Sequence, residues 1–262
     1  MTGRRQRLVL YLVIASFSAW VSMAYGLDPK AGPSSENSLE FFRIGISAYK
    51  NGRADEAVRS LRYAAEMGHT GAKWKLARMY AKGDGVPEND QEAYKFFQKI
   101  VHDGADPGSQ NESYVSDALV ALGNYMRTGI AGTSIKSDPG RARSFYVQAA
   151  TNYGNADAQC ELGKMLLSGE GGDKNPVQAA RWFQLAAKKG HAAAQAMLGS
   201  MLFQAGKTVR GLAMMTAAFE RAEPDDRIWI QPMQERAFAI AAEADRRTAI
   251  SLASDIAANG RF

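Results

Sequence analysis

A short pattern recurs along this 262-residue chain: alanine, leucine four residues on, a small residue at +5 and an apolar residue at +8. It fits Ala158, Leu162, Gly163, Leu166; Ala72, Leu76, Ala77, Tyr80; Ala118, Leu122, Gly123, Met126; and Ala194, Leu198, Gly199, Leu202. A degenerate copy starts at Glu40, with Ile44, Gly45 and Ala48. Positions 0, +4, +5 and +8 share one face of a 3.6-residue helix. A second helical pattern follows each copy, clearest as Ala179, Trp182, Phe183, Ala186, Ala187 and Gly190. It recurs from Ala57, Ala93 and Ala142, and weakly from Gly211. Starts at 40, 72, 118, 158 and 194 give periods of 32, 46, 40 and 36 residues. The apolar faces of one such pair cannot bury each other completely. Helix pairs at these periods therefore predict an all-α solenoid, in which stacked neighbours complete the core.

Local signals place the boundaries. Asn175 followed by Pro176 predicts an N-cap and a first helical residue, where the missing proline N–H costs nothing. Gly190 suits the position just past a helix end. Residues 25–38 read as a flexible lead-in, with Asn37 or Ser38 capping the first helix. Five pairs follow, at 39–68, 70–103, 115–154, 155–191 and 192–222. Between the second and third lies an insertion, residues 104–114. Its Gly104, Ala105, Asp106, Pro107, Gly108 and Ser109 predict an exposed loop open to proteolysis. Glu223-Pro224-Asp225-Asp226 reads as a chain break, after which helices at about 227–243 and 246–258 cap the stack with Glu235, Arg236, Glu243, Arg246 and Arg247 outward.

The alternation of A-x3-L-G-x2-[YL], a G-x-G turn (Gly83 to Gly85, Gly169 to Gly171) and A-x2-[FW]-F-x2-A-A-x2-G resembles the Sel1-like repeat family. This is a longer relative of the tetratricopeptide repeat. The resemblance covers roughly residues 40–220 and implies a scaffold fold rather than a particular function.

The N-terminus reads as a signal peptide, residues 1–24. Arg4, Arg5 and Arg7 precede the apolar run Leu8 to Ile14, and Ser22-Met23-Ala24 supplies small residues for cleavage. The run is short for a membrane span of about 20 residues, although an uncleaved anchor is the competing reading. Export, most simply to a bacterial periplasm, is the expectation. Removing the three arginines takes the formal net charge from +5 to +2. No basic stripe with interleaved aromatics points to nucleic acid. A single cysteine excludes an intrachain disulfide.

No pattern asks for a cofactor or a catalytic group. His69 and His191 hold equivalent places after a helix-ending glycine, as repetition alone would give, and His102 stands apart. Cys160 occupies a position that is apolar in every copy (Phe42, Trp74, Val120, Ala196), which predicts a packed thiol. The glycine turns lack G-x4-G-K-[ST] and follow no strand. The acids around Glu88 to Glu92 and at Asp225 and Asp226 sit at helix starts, where the dipole favours them. The chain thus reads as a non-enzyme with a binding surface. Position +7 holds Met79, Tyr125, Met165 and Met201, and position +3 includes Lys75 and Glu161. If these flank the buried stripe they line a groove for a partner; otherwise +7 packs against the next repeat.

The chain as a whole resembles the ExoR family, periplasmic negative regulators of exopolysaccharide production. The resemblance rests on D-P-K-A-G at 28–32, A-Y-K-N-G-R-A-D-E-A at 48–57, Y-A-A-E-M-G-H-T-G at 63–71, L-S-G-E-G-G at 167–172 and the run at 202–218, with the tail near 229–250. It implies a partner, the periplasmic domain of an ExoS-type sensor histidine kinase working with a ChvI-type response regulator. It also implies release of that kinase when the regulator is lost or proteolysed, by a periplasmic protease for example. A generic periplasmic scaffold and a cell-wall or lactam-binding protein stay as alternatives.

Overall fold

The computed structural model describes residues 35–259. All regular structure among them is helical: α1 (Ser35–Lys50), α2 (Ala54–Glu66), α3 (Thr70–Lys82), α4 (Asp90–Asp103), α5 (Asn111–Thr128), α6 (Pro139–Asn152), α7 (Ala156–Ser168), α8 (Pro176–Lys188), α9 (Ala192–Gln204), α10 (Thr208–Arg221), α11 (Pro224–Ile240) and α12 (Glu243–Asn259). The proposed signal peptide lies outside the described residues. No described helix is long and apolar enough to cross a membrane.

The chain divides into two compact units, meeting in sequence between Glu88 and Asn89. In the first, α2 packs on both α1 and α3. In the second, α5–α6, α7–α8 and α9–α10 form helix pairs, and each is joined to the next by first-helix contacts. Both α11 and α12 pack on α10. The predicted solenoid of helix pairs is therefore the observed architecture within each unit. The predicted pair 70–103 consists of α3 and α4, one in each unit.

The small residue at +5 sets how closely paired helices approach. A Cβ on Gly163 of α7 would stand 2.6 Å from Cε1 of Phe183, the ring that α8 lays on it. The same construction at Gly123 of α5 meets the Tyr146 ring of α6 at 2.6 Å, and at Gly45 of α1 it meets Leu61 of α2 at 2.7 Å. In the fifth pair the partner is backbone: Gly199 would collide with the Gly211 carbonyl at 2.9 Å. Phe183, Tyr146 and Leu61 are fully buried. Each flat or branched side chain thus rests on bare helix backbone, at the close packing density of a protein interior. The Tyr146 hydroxyl donates to Asn124 at 2.6 Å, and burial raises its pKa, so it stays protonated.

A glycine followed by histidine or asparagine links one repeat to the next. Gly68, Gly154 and Gly190 have φ of +94°, +61° and +87°, a region that disfavours other residues. The next residue closes the preceding helix: the N–H groups of His69, Asn155 and His191 donate to Ala64, Ala149 and Ala186. Its side chain then caps the following helix. His69 and His191 accept through Nδ1 from the N–H groups of Ala72 and Ala194, each at 3.2 Å, and Asn155 accepts from Ala158 at 2.9 Å. The equivalence of His69 and His191, visible in the sequence, is a capping role. Within each pair Asn175 caps α8 ahead of Pro176, as the sequence predicts, and Asp138 does the same ahead of Pro139.

Three boundaries differ from expectation. The loop predicted at 104–114 narrows to 104–110, because Asn111 to Tyr114 form the first turn of α5, whose Glu112 carboxylate accepts from the Gly108 N–H at 3.1 Å. Helix α1 begins at Ser35, so Asn37 and Ser38 lie inside its first turn rather than capping it. Helices α11 and α12 start three residues earlier than read from the sequence. Pro224 opens α11 instead of breaking the chain, with Asp225 and Asp226 in its first turn.

Two outcomes are expected. Gly163→Ala should destabilise the protein by about 1–2 kcal/mol in urea denaturation, as overpacking against Phe183 outweighs the gain in helix propensity; adding Phe183→Leu should recover part of the loss. The second concerns His69. Burial lowers its pKa from the usual value of about 6.5. The unfolded chain then takes up this proton first, so its contribution to stability is complete above about pH 6.5 and is lost as pH falls through the lowered folded-state value. Protonation also places hydrogen on Nδ1, where it ends the cap. Urea titrations at pH 7.5 and 5.5 should show a smaller pH effect in His69→Asn than in the unsubstituted protein.

Candidate functional site

The first-helix row expected to line a groove is largely consumed by packing. Met79 and Met165 are fully buried and present nothing to a partner. This corrects the expectation for both residues, and the turns explain part of it. In the first unit Gly85 lies over the start of α2, where a Cβ would stand 3.2 Å from the Ala54 methyl and 3.6 Å from Met79 Cε. The G-x-G turn therefore closes over the methionine. The turn at 169–172 is placed likewise: a Cβ on Gly171 would collide with the Pro139 carbonyl oxygen at the start of α6. Tyr125 is half-buried, and its hydroxyl donates to Asp90 at 2.7 Å, pinning α5 to the first residue of α4. Its ring meets Tyr94 edge-on at 6.0 Å. Met201 lines a groove between α8 and α10.

The charged flank is also engaged within the chain. Lys75 sits 3.2 Å above the Tyr49 ring and 3.8 Å from the Asp84 carboxylate, which accepts from the Tyr49 hydroxyl at 2.5 Å. Burial lowers the Lys75 pKa, against the pull of Asp84. Glu161 accepts from Arg127 Nη1 at 2.8 Å and from Lys164 at 2.7 Å, while Arg127 grips Glu170 through two bonds of 2.6 Å. This bidentate bond, chiefly, raises the Arg127 pKa. The network fastens α5 to α7 and to the glycine turn after it. Lys75 and Glu161 thus hold repeats together. Beside Glu161 on α7, Cys160 is fully buried, and desolvation pushes its thiol up to about 12, so it carries no thiolate. Among the described residues no group of three or more His, Cys, Asp or Glu side chains is placed to hold a metal ion.

What stays open in the second unit is the second-helix face. Two grooves flank α8. One, about 370 Å³, separates α6 from α8 over a floor of Leu162 and Leu166. The other, about 540 Å³, separates α8 from α10 over Leu198, Leu202 and Met214. Arg181 lines both. Sequence reading missed this face. The signal was present: Val177, Arg181 and Leu185, at spacings of four, fall outside the buried stripe of α8.

Comparison with known proteins gives the family. The Sel1 repeat model matches residues 70–101, 116–153, 156–191 and 192–211. The first helix pair, already shorter in its turn, lies outside those segments. The exopolysaccharide production negative regulator of Rhizobium meliloti (strain 1021) is 49% identical over 249 residues, covering 95% of this chain and 93% of its own. The chain belongs to the exopolysaccharide production negative regulator family. The regulator of Rhizobium leguminosarum bv. viciae is 48% identical over 231 residues, covering 88% of this chain and 86% of its own. Among solved structures, a protective antigen of uropathogenic Escherichia coli with an SLR fold superposes with a TM-score of 0.66 at 26% identity, over 84% of this chain. The match spans only 45% of that antigen, so this member of the regulator family shares a stretch of repeats with it.

Proposed function

We propose that the protein is an exported repressor that binds the periplasmic domain of an ExoS-type sensor histidine kinase and holds it in its inactive output state. Exopolysaccharide synthesis is then kept low through the paired ChvI-type response regulator. The observation that carries this reading is the near-complete alignment with two exopolysaccharide production negative regulators. The repeat fold supports action by binding rather than turnover, because its polar side chains at the predicted flank serve inter-repeat contacts. Holding a kinase off requires unequal affinity for its two states: moving a 99:1 population to 1:99 takes about 5.5 kcal/mol of preference.

Release by proteolysis fits the loop at 104–110, which joins α4 to α5 and has Asp106, Pro107 and Gly108 exposed. Cutting it removes the covalent link between α4 and α5 and leaves them joined by packing and by the Tyr125–Asp90 hydrogen bond. The same export reading places the protein and such a protease in the periplasm.

The decisive experiment pairs a gene deletion with a binding measurement. Deletion should raise secreted exopolysaccharide, and the purified protein should retain one sensor kinase from membrane extracts and bind its isolated periplasmic domain in calorimetry. Unchanged polysaccharide, or retention of several envelope proteins with no sensor kinase among them, would contradict the repressor and favour a scaffold.

A further inference from the structure

We infer that the face formed by α6, α8 and α10 is a docking surface for an acidic amphipathic helix of a partner protein. The partner's aliphatic side chains would seat in the two grooves beside α8, and its carboxylates would meet Arg181 and the neighbouring cations. The inference stands whether or not that partner is a sensor kinase.

Three observations converge on it. The first is exposed apolar surface with a shape to fill. Val177 on α8 is 66% exposed, Leu185 44% and Val147 on α6 39%, and each lines one of the two grooves. The other large exposed apolar residues lie on α1 and the C-terminal helices. A concentration of this kind beside an apolar floor marks an interaction site on a soluble protein.

The second is uncompensated charge. Arg143 lines the first groove, Lys207 and Arg210 the second, and Arg181 both, whereas no acidic side chain lines either. Arg181, Lys207 and Arg210 form no ion pair among the described residues. Elsewhere in the same unit comparable cations are matched: Arg127 holds Glu161 and Glu170, and Lys164 holds Glu161. Arg143 donates to the Asp173 carbonyl at 3.4 Å, but a surface that pairs its charges on one side and leaves Arg181, Lys207 and Arg210 around apolar grooves on the other is complementary to carboxylates.

The third is geometry. Grooves between neighbouring helices accept the ridge of a third helix at an interaxial spacing of about 8–10 Å. Aliphatic anchors at i, i+3, i+4 and i+7 then reach the part of that floor left open, Met201 and Leu202, which are only half-buried. A hydrophilic polyanion would leave that floor unfilled. Trp182 is the one aromatic residue lining either groove, so there is no row of rings on which bases could stack.

The test uses a panel of fluorescein-labelled 18-residue helices with leucines at i, i+3, i+4 and i+7. One set carries four glutamates on the remaining positions and one carries four lysines, with alanine and glutamine elsewhere so that circular dichroism shows both sets helical; poly-L-glutamate serves as the polyanion without apolar groups. Binding to the purified protein is followed by fluorescence anisotropy at low and high salt. Acidic helices should bind, more weakly as salt rises, and at least tenfold more weakly to the Arg181→Glu/Arg210→Glu variant. Leu185→Asp should show a similar loss. Arg59→Glu, an exposed cation of the first unit, should bind as the unsubstituted protein does. Both arginines and Leu185 are exposed, and unchanged thermal melting by circular dichroism checks that the fold is kept. Failure of every acidic helix to bind would overturn the inference. So would equal binding by the double variant, or binding of lysine helices or poly-L-glutamate as tight as that of the acidic helices.

Discussion

The closest helix contacts in this structure depend on a missing side chain. At position +5 of the repeat, Gly45, Gly123 and Gly163 leave bare backbone onto which Leu61, Tyr146 and Phe183 are pressed. A buried ring gains many small dispersion contacts at once, and they vanish quickly with separation. Glycine in a helix costs about 1 kcal/mol relative to alanine. The repeat accepts that cost several times, because the closer approach brings whole helix faces into contact. The approach distance then fixes how tightly successive pairs stack.

Tight stacking decides which surface is available for function. A first helix such as α7 packs on α8 and α6, and buried residues occur on more than one of its faces, including Gln159, Cys160 and Met165. The second helix α8 buries Ala179, Phe183, Ala186 and Ala187 against its neighbours and exposes Val177 and Leu185. The charged residues that flank the first helices are drawn into bonds between repeats, as Arg127, Glu161 and Glu170 show. The inferred docking surface accordingly lies on the second-helix side. For a family of negative regulators this is a useful division: stability resides in one set of helices, and recognition can vary on the other.

Much of the fold was legible from residue spacing. The alanine-leucine-glycine period located the helices, and proline after asparagine located the start of α8. The sequence was less informative about the width of the buried stripe. A period of 3.6 gives its centre, but whether +7 is covered depends on how the following turn folds back, as the Gly85 turn does in closing on Met79 over the start of α2. The histidine caps were hidden for another reason. Histidine is not a preferred N-cap, and only the paired hydrogen bonds of its N–H and Nδ1 show that it joins two helices. Asn111 to Tyr114 read as loop by composition, yet Glu112 reaches back to Gly108 and the helix begins early. The whole-chain resemblance supplied what spacing could not, namely a regulatory role.

The central claim is that first helices are interior and that the methionine row is not a surface. Oxidation by dilute hydrogen peroxide, read residue by residue by mass spectrometry in the folded protein, tests it directly, because a thioether reacts only where the oxidant reaches it. Met201, half-buried at the edge of a groove, should be oxidised while Met79 and Met165, both fully buried, stay reduced until the protein unfolds. Oxidation of Met79 and Met165 at the rate of Met201 would contradict the packing described and return the first-helix row to the list of binding surfaces.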